Sequence, residues 1–117
     1  MSNIVGIDLG TTMSAIAALN SVGKPEIIPN KDGERITPSV IKFESSSHTY
    51  IGTEAKNSAA TDSNSVAKEF KREMHNDAYR FNVHGDSYTA SDLSSFILKK
   101  LTQDASTQVG SIKDVVI

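Results

Sequence analysis

The stretch Ile4-Val5-Gly6-Ile7-Asp8-Leu9-Gly10-Thr11-Thr12-Met13-Ser14 constrains this chain more than any other. It reads as a short β-branched strand, a very tight turn, and a second strand that continues through Ala15, Ile16, Ala17, Ala18 and Leu19. Such a short apolar run suits a strand covered on both faces. Asp8 interrupts it, and an ionised carboxylate buried there is costly unless it meets a cation, a metal or several donors. Gly10 lets the backbone turn sharply and approach a ligand closely. The amides of Thr11 and Thr12 can converge on an anion, as successive N–H groups do in anion-binding nests. A carboxylate for a hydrated cation beside amides for an oxyanion is the donor set that a metal–phosphate ligand needs. Residue types alone leave a second reading open, a hairpin turn with a capping Asp and no ligand. The P-loop and the Gly-x-Gly-x-x-Gly fingerprint are both absent, which excludes those two phosphate motifs.

Composition narrows the class. The chain has 117 residues, 38% hydrophobic and 22% charged, enough for one globular domain with a core of its own. A net charge of −2 gives no reason to expect nucleic acid as a partner. The absence of cysteine removes disulfide, thiol and zinc-thiolate chemistry. No signal-peptide pattern and no membrane-length apolar run occurs, so the expectation is a cytoplasmic protein without a membrane partner.

Further along, Asn20-Ser21-Val22-Gly23-Lys24-Pro25 marks a turn, and Glu26-Ile27-Ile28 a third strand. A polar loop with Gly33 as its pivot leads into Thr37-Pro38-Ser39-Val40-Ile41-Lys42-Phe43, which is extended because Pro38 biases Thr37 away from helix. Thr49-Tyr50-Ile51 reads as a short strand and residues 52–60 as a helix. Val66, Phe70 and Met74 recur every four residues and predict a helix over residues 65–75, with Lys71-Arg72 at the edge of its packed face. The plain reading of that pair is a solvated basic face. Tyr79-Arg80-Phe81-Asn82-Val83 alternates as a strand, Gly85-Asp86 signals a hairpin, and Ser87-Tyr88 begins the return. Thr89-Ala90-Ser91-Asp92 has the capping-box pattern. Leu93, Ile97, Leu101, Ala105 and Val109 then form an apolar stripe, with Gly110 as its stop. Residues 111–117 read as a strand that is just beginning. The three histidines lack metal-ligand spacing and are expected at the surface.

Gly6-Ile7-Asp8-Leu9-Gly10-Thr11-Thr12 resembles the first phosphate-binding segment of the actin-like ATPases. It most resembles that of the seventy-kilodalton heat-shock protein (DnaK-type) chaperones. Gly33 with Thr37-Pro38-Ser39, the Gly52-Thr53-Glu54-Ala55-Lys56 segment, Lys71-Arg72 and the helix from Thr89 are similar to further segments of that family. The family's Gly three places after the Arg is absent here, and Met13 stands where many members carry an aromatic residue.

The resemblance implies an α/β fold, a partial actin-like (ribonuclease H-like) ATPase lobe in which an N-terminal β-hairpin sheet joins a small α+β subdomain. Residues 1–36 would supply the first phosphate hairpin and third strand. Residues 37–110 would form the small upper subdomain, and residues 111–117 the start of a returning core strand, cut short. It also implies ATP and magnesium as cofactors. Asp8 would hold magnesium through water. Gly10, Thr11, Thr12, Met13 and Arg72 would contact nucleotide, and Lys71, Thr11 and Asp8 would serve hydrolysis. The implied function is that of the N-terminal fragment of an ATP-dependent chaperone of the stress response. Its partners would be ATP or ADP, unfolded polypeptide clients and co-chaperones. The chain alone would lack most of the nucleotide site and turn over little ATP, and with Ile4, Ile7, Val115 and Ile117 beside a bare apolar face it would self-associate through exposed strands. Two alternatives stay open: another actin-like ATPase or sugar-kinase relative, and a non-catalytic interaction module with the same fold.

Overall fold

The structure, a computed structural model, describes residues 3–117; Met1 and Ser2, within the first expected segment, lie outside them. In chain order the strands are β1 (Ile4–Leu9), β2 (Met13–Leu19), β3 (Pro25–Ile27), β4 (Thr37–Pro38), β5 (Val40–Ser45) and β6 (His48–Ile51). Helix α1 (Thr53–Ser58), β7 (Val66–Lys68), β8 (Phe81–Val83), β9 (Asp86–Tyr88), α2 (Ala90–Val109) and β10 (Asp114–Val116) follow. The first sheet has the order β10-β1-β2-β3, with β4 also on β2. Within it β1 and β2 are antiparallel, and β10 runs parallel to β1. The second sheet is β6-β5-β7, and β8–β9 form a separate hairpin.

Helix α2 joins these parts. Its stripe of Leu93, Ile97, Leu101 and Ala105 is fully buried. One core cluster unites it with Val5, Ile7, Ile16, Ala18 and Ile28 of the first sheet region and with Ile41 and Phe43 of β5. Phe43 stacks on Tyr88 at a centroid distance of 4.8 Å and meets the edge of Phe96 at 5.7 Å. That aromatic cluster fastens the β8–β9 hairpin to α2 and β5. The hairpin turns on His84 and Gly85, both at positive φ (49° and 82°), as a two-residue turn matched to strand twist requires. The His84 ring also bonds the Phe43 carbonyl at 2.7 Å.

The hairpin, the helix over 53–58 and the capped long helix agree with the sequence reading. Four expectations do not. First, β1 is covered on one face only. Val5 and Ile7 are buried while Ile4, Gly6 and Asp8 are exposed, so Asp8 carries no burial cost. Ile7, expected beside a bare apolar face, is 6% exposed. Second, residues 65–75 form no α-helix. They run as the end of a 3-10 turn (Ser63–Ser65), strand β7 and a second 3-10 turn (Phe70–Glu73). Val66, Ala67 and Lys68 pair with Lys42, Ile41 and Val40. An open edge of β5 takes up these backbone groups, and Glu69 in the left-handed region (φ 55°) breaks the path after them. Tertiary pairing overrides a three-residue periodicity. Third, only Phe81–Val83 of the expected five-residue strand is regular. Fourth, the alternation of Ile41 and Phe43 with Lys42 suits a strand covered on one face, yet Lys42 is buried with an ion pair to Asp62, because β5 is covered on both faces.

Two predictions test these contacts. Thr89 accepts from the Asp92 amide and Asp92 returns the bond to the Thr89 amide, each at 3.0 Å. Thr89→Ala should therefore cost ~1 kcal/mol in urea denaturation. The Lys42 ammonium, by hydrogen bonding, holds the Asp62 carboxyl below its ordinary value of 3.8. That stabilisation is present above the ordinary value and lost as pH falls through the lowered one. Asp62→Asn should destabilise the fold at pH 7, and the deficit should shrink in melts recorded below pH 4.

Candidate functional site

The turn between β1 and β2 can be built from its atoms. A Cβ on Gly10 would lie 2.0 Å from the Met13 carbonyl oxygen, so the turn as tight as this one admits only glycine. The Gly10 N–H donates to Ser14 Oγ at 3.2 Å, and the Ser14 and Ser39 hydroxyls are 2.8 Å apart. The Ser39 hydroxyl donates to the Gly10 carbonyl at 2.9 Å. Since Ser39 spends its proton on that carbonyl, Ser14 must be the donor to Ser39. The result is a closed ring: Gly10 N–H to Ser14, Ser14 to Ser39, Ser39 to Gly10 C=O. Both serines are buried. The Ser39 N–H adds a bond to the Thr12 carbonyl at 2.9 Å.

This ring closes the turn without using its outer amides. Among the described residues Thr11 makes no hydrogen bond, and Thr12 only accepts, through its carbonyl. The N–H groups and hydroxyls of both are thus open to a ligand. The Gly10 amide, in contrast, is already taken.

Lys71 arrives from the turn that follows β7. Its ammonium donates to the Leu9 carbonyl at the base of the same hairpin, 62 residues away in sequence. The fold therefore brings Lys71 to the Gly10–Thr12 turn, although the helix expected to carry it is absent. Arg72 points elsewhere and pairs with Glu69 at 3.2 Å. Asp8 lies on the exposed face of β1 and, among the described residues, has no ion pair or side-chain hydrogen bond. Met13 is half-buried beside the turn.

No group of three or more acidic or metal-ligating side chains occurs among the described residues. A single free carboxylate beside unpartnered amides fits magnesium that arrives with phosphates and waters, and does not fit a dedicated protein cage. The roles of two serines, Ser14 and Ser39, are not visible in sequence, because nothing in their local pattern reveals a ring that spans 29 residues. Lys56 and Lys68 were missed as well. Together with Thr11, Thr12, Met13 and Ser39 they line a cavity of about 320 Å³ beside the turn.

Comparison with known proteins identifies the family. The Hsp70 protein family profile matches residues 4–80. The chain is 44% identical over 115 residues to the chaperone protein DnaK of Thermotoga neapolitana. It is 43% identical over 115 residues to those of Thermotoga petrophila and Thermotoga maritima. Each alignment covers 97% of this chain and 19% of the relative, so the chain spans about a fifth of the length of these curated relatives. Its mixed α/β architecture is consistent with a partial actin-like ATPase lobe. With a family profile matched over most of its length and this level of identity across nearly all of it, the chain belongs to the Hsp70 family.

Proposed function

We propose that this chain is the N-terminal part of the ATPase region of an ATP-dependent chaperone, and that its β1–β2 turn holds the phosphates of Mg-ATP. The observation that carries this reading is the convergence of Lys71 and the open Thr11 and Thr12 donors on one turn. Phosphoryl transfer needs positioning and charge neutralisation more than covalent help from the protein. In this reading the N–H groups of Thr11, Thr12 and Met13 position phosphate oxygens. The Lys71 ammonium leaves the Leu9 carbonyl to neutralise charge that develops on the transferred phosphoryl. The Thr11 hydroxyl lies nearest that group and senses whether it is present. Asp8 would hold magnesium through water, and the metal would supply neutralisation of the phosphate oxygens. Gly10 acts by shape and through its carbonyl, since its amide serves the serine ring. Arg72 would contact nucleotide only by releasing Glu69. The nucleotide cycle of the whole protein would drive binding and release of unfolded polypeptides, with co-chaperones, in the cytoplasm.

The division into residues 1–36, 37–110 and 111–117 belongs to the same proposal. So does self-association of the chain when it stands by itself. Leu19, Val115, Val116 and Ile117 are exposed at 45%, 42%, 65% and 72%, and β10 ends the sheet. Such edges recruit further strands.

Two experiments test the reading. A chimera can join residues 1–117 to the remainder of Thermotoga maritima DnaK. In it, Lys71→Ala should slow ATP hydrolysis about a hundredfold while changing ATP affinity less than about threefold. Unchanged turnover would remove Lys71 from the site. The 117-residue chain by itself should sediment as dimers or larger species at micromolar concentration. Val116→Lys should return it to monomer, by placing charge on the open edge. A monomeric wild-type chain would refute the edge assignment.

A further inference from the structure

The cavity beside the β1–β2 turn has a chemistry of its own. One wall is the turn itself, Thr11 to Met13, and the other carries Lys56 from α1 and Lys68 from the end of β7. Among the described residues neither ammonium has an ion pair or hydrogen bond. The acid at the rim, Glu69, is engaged by Arg72 at 3.2 Å. Lys71 does not line the cavity and is held by Leu9. The cavity therefore combines two uncompensated cations with the free hydroxyls of Thr11 and Thr12, and about 320 Å³ of space.

We propose that this cavity is a holding site for inorganic phosphate, bound by Lys56 and Lys68 after it leaves the turn. The proposal rests on the nucleotide reading given above for its source of phosphate. Three features favour that ligand. Lysine ammoniums are point charges with rotatable donors, which suit a tetrahedral dianion as well as a planar one. Both side chains are exposed and unpaired among the described residues, so an anion reaches them without displacing a partner. The cavity also shares the Thr11–Met13 wall with the proposed nucleotide contacts, so a phosphate released at the turn meets this positive field first.

The test uses the 117-residue chain and inorganic phosphate, with sodium chloride at matched ionic strength as reference, followed by NMR shifts of backbone amides and lysine side chains. Phosphate should produce saturable shifts at Thr11, Thr12, Lys56 and Lys68 that chloride does not. The double variant Lys56→Gln/Lys68→Gln should weaken binding by about tenfold or more. Lys31→Gln/Lys99→Gln removes the same charge from a different groove and should leave the affinity unchanged. Both substituted pairs are exposed, and a wild-type melting curve for each confirms an intact fold. Shifts equal to those from chloride, or equal weakening by the two double variants, would overturn the proposal. Saturable shifts at Thr11 and Lys71 with Lys56 and Lys68 unmoved would also overturn it, while leaving the nucleotide reading intact. Binding at Lys56 and Lys68, with full turnover in the Lys71→Ala chimera, would support the phosphate site and remove only Lys71 from the nucleotide site.

Discussion

The ring of hydrogen bonds through Gly10, Ser14 and Ser39 is the constraint on which the candidate site depends. It does three things at once. It satisfies both backbone groups of Gly10, where the chain is too tight for any side chain. It ties the β1–β2 turn to the junction of β4 and β5, so that the two sheets meet at the site. It also leaves the next two residues with open amides. Hydrogen bonds in a closed, buried ring polarise one another, and breaking one leaves buried partners unsatisfied. The turn is therefore a rigid platform, and rigidity is what anion-binding amides require to be useful.

The ring would be of little use if the two sheets could separate. Helix α2 prevents that. Leu93, Ile97 and Leu101 are each at most 1% exposed and touch both sheets through one cluster. Burial of three such side chains stabilises by ~5–8 kcal/mol in total, several times the contribution of the capping box at the start of the helix. Local capping fixes where α2 begins, and the apolar stripe fixes what it holds together.

This hierarchy explains what the sequence could reveal. The α2 stripe repeats five times over residues 93–109 and is bounded by a capping box and a glycine, so its period is unmistakable. The hairpin was legible from Gly10 and the flanking alternation of apolar residues. Residues 65–75 offered only Val66, Phe70 and Met74. Three apolar residues at that spacing fit a helix, yet they fit as well a strand followed by a turn. The deciding factor was the open edge of β5, which lies more than 20 residues earlier and leaves no local trace. The same edge buries Lys42 and obliges it to pair with Asp62. Asp8 is exposed for a related reason. An apolar β1 predicts two covered faces, whereas this chain supplies cover for one.

The failed helix and the placement of Lys71 are one event seen from two sides. An α-helix from residue 65 would turn Lys71 with the periodicity of the helix, and its position would follow from Val66 and Phe70. Instead β7 runs straight along β5, and Glu69 reverses direction in a conformation that costs a non-glycine residue roughly 1 kcal/mol. That reversal turns Phe70 into the core at 2% exposure, and the gain from burying a phenylalanine exceeds the cost of the strained residue. Lys71, next in the chain, is thereby directed to the Leu9 carbonyl. Its aim thus follows from a strand register, a left-handed residue and an anchored aromatic ring. All three precede or adjoin Lys71 on its N-terminal side, so the local geometry is set before Lys71 and not after it.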